Sequence, residues 1–269
     1  MLPSRYFVEL TQPEIAAQLK KNPLVILPCG SVEQHGPHLP AGTDTFAAEV
    51  IGRAVAERMD GLVLPATPFG VTPMHMPFEA TITLTPDTYI RVTTETCAAT
   101  AAHGAKYLLI LNWHEGNIPS LAIAAEALHR RHGMTVITVQ ACYVAEELYG
   151  HSCNGLTHGG EIEALAILAH RPELVHLDRI DYSSDPAQGH KMDKLRRTRT
   201  FQPVLTDVRS IAPTGWFGSP QQASAAKGAR MLADIADAIA REAAEIFRQL
   251  DAVQGGGGTA EVKQLRQVG

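Results

Sequence analysis

Leu24-Val25-Ile26-Leu27, closed off by Pro23 and Pro28, leads within a few residues into Glu33-Gln34-His35-Gly36-Pro37-His38-Leu39-Pro40-Ala41-Gly42-Thr43-Asp44. A short, continuous apolar run between breakers reads as a buried strand. The segment behind it sets a carboxylate, an imidazole and a second carboxylate just past the strand's C-terminal end. Open α/β sheets build their sites there. Carboxylate oxygens with neutral imidazole nitrogens suit Zn²⁺, Mn²⁺ or Fe²⁺ rather than a soft thiolate site. Taken alone, the segment also fits a polar loop in which Asp44 caps the helix that follows.

Outward from this stretch the same alternation continues. Apolar runs at 62–65, 107–111 and 135–139 read as three more strands. Helical patterns separate them at 45–59, 86–103, 118–132, 161–169 and 220–250. Pro86 and Asp87 open the second of these, and Gly104 and Gly133 close the second and third, as helix starts and stops do. Strands alternating with helices imply right-handed crossovers, a mainly parallel sheet and helices on both faces. The expected fold is therefore a single α/β domain over 1–253, followed by a disordered Gly-rich tail at 254–269 around Gly255–Gly258.

The chain has 269 residues, 45% hydrophobic and 19% charged, with a formal net charge of −5. That balance favours neither nucleic acid nor an anionic membrane as partner. No apolar run approaches membrane-spanning length. The four cysteines lack CxxC spacing and read as reduced thiols of a cytoplasmic protein. The polar stretch 178–209, with Lys191, Lys194, Arg196, Arg197 and Arg199, reads as a solvated excursion or subunit contact rather than a nucleic-acid patch.

Two further segments repeat the chemistry of the first. Asn112-Trp113-His114-Glu115-Gly116-Asn117 follows the third strand. Thr157-His158-Gly159-Gly160-Glu161-Ile162-Glu163 enters a helix whose N-terminal dipole favours a carboxylate or a developing anion. Any one such cluster is readily structural. Three of them, each flanked by glycine and each at the end of a regular element, point to a metal-dependent hydrolase. Asp44, short and flanked by anchored ligands, is the candidate bridge of a two-metal site.

These residues resemble the creatininase (creatinine amidohydrolase) family over roughly residues 6–245. Glu33-x-His35-Gly36-x-His38-Leu39-Pro40-x-Gly42-Thr43-Asp44 is similar to its first motif, Asn112-x-His114-x-x-Asn117 to its second, and His158-Gly159-Gly160-Glu161-x-Glu163 to its third. The segment from His75 through Phe78 to Thr81, and Gly215-x-x-Gly218-x-Pro220 with Lys227-Gly228, match other family stretches. The resemblance implies two divalent metals, Zn²⁺ first and Mn²⁺ or Fe²⁺ as alternatives. It implies Glu33, His35, Asp44 and His114 as ligands and His158 as the proton-transfer histidine. Creatininase itself takes another ligand from a glutamate where this chain has Gly116, and Glu161 is expected to replace it. Glu163, two residues on, is expected to hold a ligand in place rather than to ligate.

Trp113, Glu115 and His75 are the candidate substrate contacts. Trp113 and Glu115 depart from creatininase, which has a glycine and a tyrosine there, and this argues against creatinine as substrate. The expected function is a metal-dependent amidohydrolase cutting a non-peptide C–N bond of a small cyclic or linear amide. The alternatives are a formamide deformylase, a small-peptide peptidase, or, in another class, an inactive metal-binding scaffold. The resemblance also implies a homo-oligomer, typically a hexamer.

Overall fold

The computed structural model describes residues 2–180, 191, 195 and 204–255, with residues 254 and 255 as backbone alone. Its strands are β1 (Leu24–Cys29), β2 (Leu62–Val63), β3 (Tyr107–Asn112) and β4 (Thr135–Gln140). Its α-helices are α1 (Gln12–Lys21), α2 (Thr43–Met59), α3 (Pro86–Ala102), α4 (Ile118–His132), α5 (Ala141–Tyr149), α6 (Glu161–His170) and α7 (Ala225–Gly255). Each of the four apolar runs is a strand, and all pairings are parallel, in the order β2-β1-β3-β4.

Side chains on a strand alternate between its faces, so each apolar run feeds two cores. Leu24, Ile26, Leu109 and Leu111 join one layer with Ile51 and Val55 of α2, Leu165 of α6 and Ile235 of α7. Val25, Leu27, Leu108 and Ile110 join the other with Tyr89 of α3 and Leu121 and Leu128 of α4. Burying one such aliphatic side chain stabilises the fold by about 1.5–3 kcal/mol. That is why a continuous run, apolar on both faces, sits at the centre of the sheet.

The helix ends follow local chemistry. The Thr85 side chain accepts from the Thr88 backbone N–H to start α3, and Gly133 takes φ 67° to end α4. α2 begins two residues earlier than its apolar pattern suggests, with Gly42 as its N-cap, so Asp44 lies inside the first turn rather than capping it. The C-terminal helix starts at Ala225 after a short 3-10 turn at Pro220–Gln222.

The topology creates the site. From β1 the chain crosses to β2 on one side, and α3 then carries it back past β1 to β3 on the other. The loops leaving β1 and β3 therefore diverge, opening a crevice at the strand C-termini. Among the described residues no helix is long and apolar enough to cross a membrane. All four cysteines are buried, and none is in a disulfide. Most of the basic stretch, including Lys194, Arg196, Arg197 and Arg199, lies outside the described residues, as does the tail from 256 onward.

Candidate metal centre

The loop after β1 brings in Glu33 and His35, the first turn of α2 brings Asp44, and the loop after β3 brings His114. The start of α6 closes the ring with Glu163. His35 Nε2 lies 3.3 Å from Asp44 Oδ1 and 3.6 Å from Glu163 Oε2. His114 Nδ1 lies 3.0 Å from Asp44 Oδ2 and 3.5 Å from Glu33 Oε2. Asp44 thus offers one oxygen to each of two donor groups, Glu33/Asp44/His114 and His35/Asp44/Glu163. A third grouping joins Glu33 and His35 to His158, whose Nδ1 is 3.6 Å from Glu33 Oε1.

Hydrogen bonds turn the lone pairs inward. His35 Nδ1–H donates to the Glu33 carbonyl at 3.0 Å, and His114 Nε2–H donates to the Val71 carbonyl at 3.2 Å. Fixing the proton on the outer nitrogen leaves the inner one bare, as metal-ligating histidines require. Ser31 Oγ donates to Asp44 Oδ2 at 2.8 Å, and the Thr72 hydroxyl donates to Glu33. The Gly159 N–H donates to Glu163 Oε2 at 2.6 Å.

The electrostatics favour a cation. Glu33, Asp44 and Glu163 are all buried, and among the described residues no lysine or arginine pairs with them. Burial pulls the His35 imidazole down, but Glu163, Asp44 and Glu33 outweigh it and hold it at about 10. His114 is held at about 9 against burial by Glu33 and Asp44. Burial would raise Asp44, yet His35 and His114 hold it well below the carboxylate range. Burial drives Glu163 up to about 8, with the His35 charge opposing. A negative potential that traps protons on two imidazoles also suits a divalent ion in their place.

One atom tests the fit directly. His35 Nε2 is fully buried and has no hydrogen-bond partner, a costly state for an imidazole nitrogen unless something binds it. The carboxylate and imidazole donors around it suit Zn²⁺ or Mn²⁺.

The structure brings Glu33, His35, Asp44, His114 and His158 together and sends Glu161 elsewhere. Glu161 Oε1 lies 2.7 Å from Lys227 Nζ on α7, away from the cluster. Glu163 occupies the position beside His35 and Asp44 that the sequence reading gave to Glu161. The physical reason is local: Gly160 is the N-cap of α6, and Glu163, three residues on, turns back over the helix N-terminus to meet the Gly159 N–H. Gly116 cannot carry a side chain, because a Cβ there would lie 2.2 Å from the Val71 carbonyl and 2.5 Å from His114 Nε2. The creatininase-type glutamate has no room at this position.

His75, Trp113 and Glu115 all line a cleft of about 400 Å³ above the cluster. His75 Nε2 is 3.7 Å from Glu33 Oε1. Trp113 is buried at 2% exposure and belongs both to the cleft wall and to the core. Burial, and then the charges of His75 and His35, push His158 well below its ordinary value, so it is neutral at physiological pH. His38 is structural: its Nε2–H donates to the Gly159 carbonyl at 2.8 Å, tying the first motif to the third. Asn117 does the same for the loops after β1 and β3, accepting from the Val71 N–H at 2.9 Å and donating to the Gly30 carbonyl at 2.9 Å. Sequence reasoning missed the far wall of the cleft, Leu205, Val208, Ile211 and Phe217, because nothing in that stretch carries site chemistry.

Residues 8–243 match the creatininase family, described as creatinine amidohydrolase. The chain belongs to that family and, with it, to the hydrolases that cut amide C–N bonds. A mycofactocin precursor peptide peptidase of Mycobacterium ulcerans (strain Agy99) is 33% identical over 224 residues, covering 80% of this chain and 82% of that protein. The creatinine amidohydrolase of Pseudomonas putida is 29% identical over 270 residues, covering 90% and 98%. A Zn-Zn type mutant creatininase has a TM-score of 0.75 at 25% identity, covering 91% of this chain and 99% of that one. A creatininase in its manganese form has a TM-score of 0.70 at 27% identity, covering 89% and 98%.

Proposed function

We propose that this chain is a two-metal amidohydrolase acting on a short peptide or another linear amide with apolar flanking groups. Asp44, set between His35 Nε2 and His114 Nδ1, is the observation that carries the two-metal reading. Glu33, Asp44 and His114 would hold one ion, and His35, Asp44 and Glu163 the other. When bound, such ions supply Lewis acidity, bringing water's pKa from 15.7 towards about 7 and polarising the amide carbonyl.

The chain's own residues supply the rest. His158, neutral and beside Glu33, takes a proton from the attacking water and passes it to the leaving nitrogen. His75 lines the cleft and donates to the amide oxygen as charge develops there. Val71, Met74, Trp113, Leu156, Val208 and Phe217 keep water out and bind apolar groups on either side of the bond.

The peptide reading displaces the small non-peptide amide that the sequence put first. A 400 Å³ cleft with these walls is larger than a small lactam needs and sits in the range of sites for drug-sized ligands. The mycobacterial relative is a precursor peptide peptidase. The test is a panel of short apolar peptides, creatinine, a hydantoin and a formamido-pyrimidine, run with Zn²⁺- and Mn²⁺-loaded protein. Peptide turnover that vanishes on chelation supports the proposal. Creatinine turnover at kcat/KM of about 10⁴ M⁻¹s⁻¹ or more would contradict it, and a metal-loaded protein inert to the whole panel would restore the scaffold reading. A homo-oligomer, a hexamer on the family resemblance, is proposed alongside and checked by light scattering.

A further inference from the structure

Gln34 lies between two proposed ligands, Glu33 and His35, and the chemistry above gives it nothing to do. It is 8% exposed and its amide is held at both ends. The Gly36 N–H donates to Gln34 Oε1 at 3.1 Å, and Gln34 Nε2 donates to the Gly215 carbonyl at 2.5 Å. A flipped amide would set oxygen against oxygen and N–H against N–H, so the nitrogen's position is fixed. Gly215, at φ +86°, leaves the room: a Cβ there would lie 2.6 Å from Gln34 Oε1 and 2.8 Å from its Cδ.

The second amide hydrogen faces His75 Nδ1 at 3.0 Å. A donor at that distance requires a lone pair on Nδ1, which places the His75 proton on Nε2, the nitrogen 3.7 Å from Glu33 Oε1. His158 has the same tautomer but the opposite orientation. Its Nε2 lies 2.7 Å from the Gln34 backbone carbonyl, which can only accept, so Nε2 carries the proton and Nδ1 faces Glu33 bare. The amide nitrogen's 3.0 Å approach to His158 Nε2 joins two donors and is a packing contact. The two rings lie 4.3 Å apart between centroids, tilted by 38°.

We infer that Gln34 is a positioning residue that fixes the Nε2–H tautomer on both cleft imidazoles, with opposite ring nitrogens facing Glu33. Its side chain makes His75 an N–H donor, and its backbone carbonyl makes His158 a lone-pair acceptor. The cleft thereby presents one donor and one acceptor to the two ends of an amide. The use of that pair in catalysis rests on the proposed function; the tautomers do not.

The experiment is long-range ¹H–¹⁵N correlation of histidine rings in the full chain, zinc-loaded and metal-free, with His75→Gln and His158→Gln used only for assignment. The expected spectrum of the wild type has both rings protonated at Nε2. In Gln34→Glu, the carboxylate accepts instead of donating, so His75 moves its proton to Nδ1 while His158 is unchanged. Metal content stays at the wild-type value, and kcat falls about 10- to 100-fold, the scale of one misplaced transition-state donor, with a smaller change in KM. Wild-type His75 protonated at Nδ1 would overturn the inference, and so would an unchanged tautomer in folded Gln34→Glu. If that variant fails to fold, the wild-type spectrum alone decides. Tautomers as expected with no turnover of any amide would uphold the inference and overturn the functional reading.

Discussion

Glu161→Gln separates the two carboxylates of the third motif. Glu161 is 2% exposed, and among the described residues its one ionic partner is Lys227, at 2.7 Å across the α6–α7 interface. A hydrogen bond to a charged group contributes about 1.5–3 kcal/mol. Gln keeps an acceptor for Lys227 but loses the charge, and the Lys227 side chain, 28% exposed, can recover some hydration. The expected loss is therefore at the low end, about 1.5–2 kcal/mol. For a chain of this size each kcal/mol moves Tm by about 2–4 °C, so the melt should fall by roughly 3–8 °C. Metal content and kcat should stay within about twofold of wild type, because the side chain does not reach the cluster. Calorimetry and elemental analysis on one preparation read both quantities. A variant that melts like wild type but lacks one metal would refute this reasoning and return Glu161 to the ligand set.

Gly116→Ala should lower kcat/KM by about 10- to 100-fold, the usual cost of disturbing a ligand's outer hydrogen bond, since its Cβ would strike both partners of the His114–Val71 bond; steady-state kinetics on a peptide substrate checks it. Chelation should lower the wild-type Tm by about 16–32 °C, because each of two ions at 1,000 times its Kd contributes about 4 kcal/mol; an unchanged melt would mean the buried carboxylates need no counterion. His38 is pulled down from 6.5 to about 4 by burial, so the folded state resists its protonation while the unfolded chain accepts it. Its contribution is therefore intact above pH 6.5 and is lost as pH falls from 6.5 towards 4. At about 1.4 kcal/mol per unit, the loss between pH 7 and pH 5 is on the order of 2 kcal/mol. Urea unfolding of His38→Gln should show that much less pH dependence than wild type.

Much of this architecture is legible from the chain. The four strands and five of the helices sit where the apolar periodicity puts them, because a parallel sheet buried on both faces leaves a strong signal. α1 buries only Gln18 and Leu19, and α5 starts directly at the end of β4 with no breaker between them, so neither stands out. The cluster is legible where its members follow strands, as Glu33, His35 and His114 do. It is not legible on α6, where Glu161 and Glu163 stand two residues apart and point to different sides. The choice between them depends on the rotation of the helix. That rotation is set by packing no local pattern encodes: a Cβ on Gly228 of α7 would lie 2.1 Å from the Leu165 carbonyl, and Lys227 draws Glu161 outward. Gln34 is hidden for a similar reason, since Gly215, the residue that orients it, is 181 positions away.

The central claim is a two-ion site in which Glu163 is a ligand. The most direct test is the metal-to-protein ratio, by elemental analysis, of Glu163→Gln beside the wild type, both purified with zinc. The account predicts two ions per chain in the wild type and one in the variant, because His35 and Asp44 alone would remain for the second. Two ions retained in Glu163→Gln, or one in the wild type, would contradict it.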